Sequence, residues 1–194
     1  KGFYLMVEAG RIDHEHHAGN AYRALTDTIA LSDAVKKAKE LTNDKDTLIL
    51  VTADHSHVFT IAGYPSRGNS ILGKTAVDGI LAKDSLGLPY TTLSYANGPG
   101  WTGGLQRKEF NPVNEGTVTA PYPGSKLRPD LNDLDTTVPN YMQEATVPMS
   151  AETHAGEDVA IYADGPGANL VRGTLEQNVI YHVMAEALGW NRRR

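Results

Sequence analysis

Acidic and histidine side chains are concentrated in three short segments of the chain. Residues 13–17 and 54–57 together hold five of the seven histidines, and residues 152–158 carry His154. The chain has no cysteine. Imidazole nitrogens and carboxylate oxygens are the ligands that zinc takes in proteins when no thiolate is present. The three segments together therefore predict a metal site.

Spacing selects candidates within these segments. Asp13 and His17 are four residues apart, so on a helical turn they face the same way. Glu8 ends an apolar run, where it is placed to hold a hard, oxygen-ligated ion such as magnesium. His16 is explained equally well as a residue that supports the site or as an exposed one. His182 stands alone on a predicted helix, and we assign it no role.

The apolar pattern predicts the elements that position these side chains. Residues 2–7 and 47–52 are apolar runs typical of buried strands, and residues 20–42 repeat apolar positions at helical spacing. A strand–helix–strand order predicts a right-handed βαβ unit with parallel strands. Ligands collect at the carboxyl ends of such strands, so we expect Glu8 and Asp54 to share one rim of the sheet.

Further elements are predicted in the second half of the chain. Residues 90–96 and 158–163 read as strands, and a helix is predicted from about residue 176 to 188. Thr174 and Gln177 are spaced as a capping box at the start of this helix.

A change of composition divides the chain into three predicted parts. Prolines recur through residues 101–150, which predicts a long irregular insertion. Loops of this length in compact domains are usually functional or interfacial. We therefore expect a metal-binding α/β core over residues 1–100, the insertion over 101–150, and a return to the core over 151–194.

Composition and charge exclude several classes of protein. The net charge is −5, so the chain lacks the basic surface of a nucleic-acid-binding protein. No run of about 18 apolar residues exists, so no membrane span is predicted. The sequence enters directly on an apolar run after Lys1, from which we expect an upstream segment.

Three runs of the sequence, taken in order, resemble the C-terminal half of an alkaline phosphatase. They are Val-Glu-Ala-Gly-Arg-Ile-Asp-His at residues 7–14, continuing to His17, then Thr-Ala-Asp-His-Ser-His at 52–57 and Thr-His-Ala-Gly-Glu-Asp at 153–158. Connecting stretches such as residues 21–26 and 97–100 are also similar to the family. The resemblance covers nearly the whole chain apart from residues 64–90 and 101–150.

The resemblance implies an architecture and an assembly. The chain would form part of a three-layer α/β/α sandwich with a mostly parallel central sheet, and residues 101–150 would be a crown-type insertion. It implies a homodimer in which this insertion reaches the partner subunit. It also implies a periplasmic or secreted location.

The family's ligands map onto the clustered residues of this sequence. The resemblance implies that Asp13, His17 and His154 hold one zinc ion. It implies that Asp54 and His55 hold a second zinc ion, which a carboxylate from an N-terminal part completes.

Three further roles follow from the resemblance. Glu8 would ligate magnesium, His57 would orient the second zinc site, and His14 would reach phosphate through water. The nucleophilic serine is expected in a missing N-terminal part, so no catalytic residue is assigned in this chain. Ser56 is flanked by histidines, but the family uses this position structurally.

The implied activity is hydrolysis of phosphate monoesters to alcohol and inorganic phosphate through a phosphoserine intermediate. One alternative is a phosphodiesterase, sulfatase or phosphoglycerate mutase of the same wider fold. Another is a metal-binding module without catalysis. Preference among a phosphomonoester, a diester and a sulfate distinguishes the enzymes from one another.

Overall fold

The computed structural model of the chain describes residues 2–102 and 128–190. They form two compact units, each built from two separate stretches of sequence. The first unit comprises residues 1–29 and 57–155, and the second comprises residues 30–56 and 156–194.

Two helices stand at the start of the chain. α1 spans Arg11–His17, and α2 spans Ala21–Leu41, which confirms the helix predicted over residues 20–42. Gly19 separates them in the left-handed region, with φ of 67°, and its N–H donates to the His16 carbonyl at 2.8 Å. A residue in this conformation ends a helix, and glycine adopts it without steric cost. The boundary between the two units falls within α2, after Ile29.

A three-stranded mixed sheet is the largest sheet of the first unit. β3 (Phe59–Ile61), β6 (Leu93–Gly98) and β7 (Ala145–Pro148) lie in the order β3–β6–β7, where numbering follows the strands in chain order. β3 and β6 are antiparallel, whereas β6 and β7 are parallel. β6 confirms the strand predicted over residues 90–96, although it lies slightly further along the chain.

The central strand of this sheet carries much of the apolar core. Leu93 and Tyr95 of β6 are each 1% exposed, and Leu131 is fully buried. Gly100, just after β6, lies very close to the segment that precedes β7. A Cβ atom at Gly100 would lie 1.8 Å from the Gln143 carbonyl oxygen. Only glycine permits this contact between neighbouring segments.

Shorter strands complete the first unit. β4 (Ala76–Val77) and β5 (Ile80–Leu81) form a hairpin whose turn, Asp78-Gly79, has positive φ at both residues. This is the residue pair that a two-residue hairpin turn favours. β2 (Ser56–His57) and β8 (His154–Ala155) are the two short strands next to the histidine clusters.

The second unit pairs two strands and ends in a helix. β1 (Ile49–Val51) runs antiparallel to β9 (Tyr162–Asp164), and a short 3₁₀ helix follows at Ala168–Leu170. α3 spans Val179–Ala187 and buries Val183 and Ala185, which confirms the helix predicted near the end of the chain.

The predicted βαβ unit is not formed by the described residues. Residues 2–7 are not a strand, and the side chains from Phe3 to Val7 are 66–72% exposed. A strand is stabilised by a hydrogen-bonded neighbour, and residues 2–7 pair with no strand of the described chain. β1 pairs in antiparallel fashion, so the prediction of a parallel partner for residues 47–52 is also wrong for the described residues.

Two smaller expectations meet different outcomes. The capping box of Thr174 and Gln177 does not form, because the residue that caps α3 is Asn178, which makes no side-chain capping hydrogen bond. Part of the predicted insertion, residues 103–127, lies outside the described residues. Residues 128–150 belong to the first unit.

Among the described residues, no helix is long and apolar enough to cross a membrane.

Candidate metal centre

Three histidine side chains of the first unit converge on one carboxylate oxygen of Asp13. α1 presents Asp13 and His17 on the same side, with Asp13 Oδ1 3.2 Å from His17 Nε2. His57, at the end of β2, places its Nε2 3.2 Å from the same oxygen, and His154 of β8 places its Nε2 at 3.1 Å. His17 Nε2 and His154 Nε2 are also 3.1 Å apart. We call these four residues the Asp13 cluster.

The donor atoms of Asp13, His17 and His154 have the mutual spacing of ligands in a metal coordination shell. Zinc bonds to nitrogen and oxygen of about 2.0–2.1 Å in a tetrahedron place neighbouring ligand atoms about 3.3 Å apart. The observed separations of 3.1–3.2 Å are close to this value. The His154 side chain is 48% exposed and that of His57 is 9% exposed, so the cluster is open on one side. The residues present therefore fit a zinc ion.

The electrostatics of the cluster favour an ionised carboxylate. Burial by itself raises the pKa of Asp13, but the charges of His17, His57 and His154 outweigh burial and hold this pKa below its ordinary value. An ionised carboxylate surrounded by imidazoles is the state that a divalent cation requires.

His16 lies behind the cluster. Its Nδ1 hydrogen-bonds to the Tyr95 hydroxyl at 2.9 Å, and its ring stacks on His57 with centroids 4.5 Å apart. The Phe59 ring also packs against the His16 ring, with centroids 4.9 Å apart. Burial, followed by repulsion from His57, lowers the pKa of His16 to about 4. Of the two interpretations of His16, the structure supports a residue that packs beneath the site.

Glu152 is a residue of this centre to which the sequence analysis gave no role. It lies two residues before His154, its side chain is 0% exposed, and its Oε2 accepts a hydrogen bond from His57 Nδ1 at 2.8 Å. The contact joins residues 95 positions apart, so no local pattern indicates it. The signal in the sequence is only that a carboxylate precedes a candidate ligand in the same short segment.

The remaining pair of predicted zinc ligands lies in the second unit. Asp54 and His55 follow β1, with His55 Nε2 3.4 Å from Asp54 Oδ2. The Asp54 side chain is 80% exposed and that of His55 is 24% exposed. The neighbouring Ser56 hydroxyl donates to Glu157 Oε2 at 3.1 Å, so this serine is held by a carboxylate.

Two predicted residues are exposed and are not brought into the Asp13 cluster. Glu8 lies in the extended segment that precedes α1, and His14 lies on the outward side of α1.

The fold and this centre define a class: an α/β protein with a candidate histidine–carboxylate metal site built from distant segments. Comparison with known proteins identifies the class more closely. The chain belongs to the alkaline phosphatase family, whose model matches residues 1–190. Membership gives the chain that family's α/β fold and confirms the resemblance seen in the sequence.

Curated relatives support the same family. The chain is 44% identical over 187 residues to the tissue-nonspecific alkaline phosphatase isozymes of Rattus norvegicus and Mus musculus. It is 42% identical over 189 residues to the isozyme of Homo sapiens. Each match covers 96% of this chain and 31% of the relative, so the chain spans about a third of the length of these relatives.

Proposed function

We propose that the protein is a phosphomonoesterase that hydrolyses phosphate monoesters to alcohol and inorganic phosphate. One observation carries the proposal: in a chain of the alkaline phosphatase family, a single carboxylate oxygen of Asp13 lies within 3.2 Å of three histidine Nε2 atoms. Such a set of nitrogen and oxygen donors is suited to zinc.

Asp13, His17 and His154 hold one zinc ion in this proposal. Zinc at this position supplies Lewis-acid stabilisation of charge on a phosphoryl or leaving-group oxygen. Asp13 contributes the negative charge, and the two histidines contribute neutral nitrogen donors. The exposed edge of His154 leaves a side of the centre open to an ester.

The other site residues have proposed roles that await a test. Asp54 and His55 ligate a second zinc ion, Glu8 ligates magnesium, and His14 contacts phosphate through water. His57 orients the site. The two zinc ions and one magnesium ion carry twice the charge that the carboxylates of Glu8, Asp13 and Asp54 neutralise, so further anionic ligands are required. The phosphate of the substrate and groups outside this chain supply them.

The nucleophile of the proposed reaction lies outside this chain. A serine there attacks phosphorus and expels the alcohol, and water then hydrolyses the phosphoserine to release inorganic phosphate. Catalysis of this kind depends mainly on positioning and on stabilisation of charge on the phosphoryl oxygens. The present chain contributes ligands to the metal centre at which the phosphoryl group is transferred.

The direct test compares three esters with one leaving group. The intact protein, loaded with Zn²⁺ and Mg²⁺, is given p-nitrophenyl phosphate, bis(p-nitrophenyl) phosphate and p-nitrophenyl sulfate. We expect the highest kcat/KM for the monoester, loss of turnover on chelation, and recovery when both metals are restored. Preference for the diester or the sulfate would assign the protein to another activity of the wider fold. Zinc binding without turnover of any ester would show a non-catalytic metal-binding module.

We also propose the intact architecture that the family implies. It comprises a three-layer α/β/α sandwich with a mostly parallel central sheet, to which residues 1–100 and 151–194 contribute, and a crown-type insertion at residues 101–150. The insertion contacts the second subunit of a homodimer. Gel filtration of the intact protein tests the assembly, and a purely monomeric profile would contradict it. A periplasmic or secreted location is proposed from the family and is tested by cell fractionation.

A further inference from the structure

α1 is a short helix that carries two of the proposed zinc ligands, Asp13 and His17. It has seven residues, none of which is buried, and its N-cap residue Gly10 makes no side-chain capping hydrogen bond. An isolated helix of fewer than about 12 residues is marginal in water. Because α1 has no buried apolar face, its position depends on polar and aromatic contacts with the rest of the first unit.

His16 makes such contacts on the face of α1 that carries the ligands. Asp13, His16 and His17 are spaced i, i+3 and i+4, so they lie on one side of the helix. The Nδ1 atom of His16 hydrogen-bonds to the Tyr95 hydroxyl at 2.9 Å. The His16 ring also packs against the rings of Phe59 and Tyr95, at centroid distances of 4.9 and 5.9 Å. This one side chain therefore attaches α1 to both β3 and β6.

Tyr95 is a fixed partner for His16. It lies on β6, the central strand of the three-stranded sheet, and is 1% exposed. Its backbone amide donates to the Glu144 carbonyl at 3.0 Å, and its ring packs on Phe59 with centroids 5.0 Å apart. A buried hydroxyl that loses its partner is left unsatisfied at a cost in free energy, which favours keeping the contact with His16. The hydroxyl thus provides a fixed point to which α1 is attached.

The main chain of α1 has a separate point of attachment. The His17 carbonyl accepts a hydrogen bond from the Glu152 amide at 3.0 Å, and this contact fixes the C-terminal end of the helix. A helix held at one point can still turn about that point. The contact between His16 and Tyr95 supplies a second point, which limits this rotation and so fixes the direction in which Asp13 faces.

We propose that Tyr95 is a positioning residue of the metal centre, because its hydroxyl holds His16 and thereby fixes the position of α1. α1 then presents Asp13 and His17 to the zinc ion that they bind together with His154. This role rests on the proposed function, because the ion concerned is the one that these three residues hold. Ligands must be held to within about 0.5 Å of the productive geometry by the residues that support them.

Tyr95→Phe in the intact protein removes the hydroxyl and keeps the ring. Asp13→Asn first identifies, by its weakened binding, the zinc equivalent that the Asp13 cluster holds. Competition with a chromophoric chelator then measures the affinity for that equivalent. We expect Tyr95→Phe to lower this affinity about 10-fold, which is the lower end of the effect of outer partners, because α1 is less firmly held. Wild-type affinity in Tyr95→Phe would overturn the proposal.

Two control variants separate this role from a general effect on the sheet. Tyr90→Phe makes the same chemical change at a half-buried tyrosine of the first unit, whose hydroxyl lies beside Gly63. Leu93→Ala removes buried apolar volume from β6 itself. We expect both variants to keep the wild-type zinc affinity, although Leu93→Ala is less stable. Equal losses of zinc affinity in Leu93→Ala and Tyr95→Phe would mean that weaker packing of β6 is sufficient, and would overturn the proposal.

His16→Phe tests the same hydrogen bond from the other side, and it serves if Tyr95→Phe folds poorly. Phenylalanine keeps a planar ring beside Phe59 but has no nitrogen for the Tyr95 hydroxyl. We expect a similar loss of zinc affinity, and wild-type affinity would overturn the proposal. In the His16→Phe background, Tyr95→Phe should cause little further loss. Losses that multiply to within about twofold of independent effects would show that Tyr95 does not act through His16.

The outcomes also separate this proposal from the proposed function. Failure of the ester assays together with the expected losses of zinc affinity would leave the positioning role intact and remove the phosphomonoesterase activity. Normal monoester hydrolysis with wild-type zinc affinity in both Tyr95→Phe and His16→Phe would do the reverse.

Discussion

A single oxygen atom is the central feature at the scale of residues. Asp13 Oδ1 contacts the Nε2 atoms of His17, His57 and His154, which come from three distant segments of the chain. The carboxylate thus provides the negative charge of the proposed zinc site and one of its ligand atoms. Its loss should be more damaging than the loss of any outer partner.

Asp13→Asn tests this conclusion. The amide has nearly the same shape but no negative charge, so we expect zinc affinity to fall by more than about 100-fold, beyond the loss that outer partners cause. Zinc competition assays measure the change. Glu15→Gln is a control on the same helix, because Glu15 pairs with Arg23 rather than with the cluster. If Asp13→Asn binds zinc as tightly as Glu15→Gln does, Asp13 is not a ligand.

The sequence predicted part of this centre for a clear physical reason. Asp13 and His17 are close along one helix, so the i,i+4 rule places them together without knowledge of the fold. His57 and Glu152 are 95 positions apart, and their contact depends on how β2 and β8 pack. The spacing of residues within one helix or strand does not indicate a contact between segments this far apart in the sequence. His16 was left open for the same reason, since its interaction with Tyr95 spans 79 positions.

At the scale of elements, helices followed the sequence more closely than strands. The repeat over residues 20–42 is sufficient to predict α2, because a helix satisfies its backbone internally. A strand depends on a partner elsewhere in the chain. Residues 2–7 have the composition of a buried strand, yet they pair with no strand of the described chain and remain exposed. β1 has the expected residues, but its partner β9 fixes an antiparallel direction that its own sequence cannot show.

The central strand β6 provides a prediction about stability. Leu93 is 1% exposed, whereas its register partner Ile61 on β3 is 72% exposed. Leu93→Ala leaves a cavity in the core, so we expect the free energy of unfolding to fall by about 2–5 kcal/mol. Ile61→Ala should change it by less than about 1 kcal/mol, because the side chain is mostly in water.

Urea unfolding followed by circular dichroism measures both variants. The two positions are cross-strand partners in one sheet, and they differ strongly in burial. Similar losses in the two variants would mean that strand propensity rather than packing around β6 determines the stability of this sheet.

At the scale of the whole molecule, each compact unit is assembled from non-contiguous sequence. The first unit joins residues 1–29 to residues 57–155, and the Asp13 cluster lies entirely within it. Divisions drawn along the sequence from composition follow contiguous segments, so they do not reveal this arrangement. The cluster links α1, the end of β2 and β8, and a bound ion would connect these three segments.

Zinc removal should therefore destabilise the intact protein. A ligand that binds only the folded state stabilises it by about 2.7 kcal/mol at a free concentration 100 times its dissociation constant. The shift is about 2–4 °C per kcal/mol for a domain of 150–250 residues and smaller for a longer protein, so we expect the melting temperature of the intact protein to fall by several degrees on chelation. Differential scanning calorimetry at several free zinc concentrations measures the shift. Asp13→Asn should show a smaller zinc-dependent shift over the same range, since the site at the Asp13 cluster binds the ion more weakly. A wild-type melting temperature that does not change with zinc would mean that zinc does not stabilise the folded protein. An equal zinc-dependent shift in Asp13→Asn would mean that the stabilising ion binds outside the Asp13 cluster.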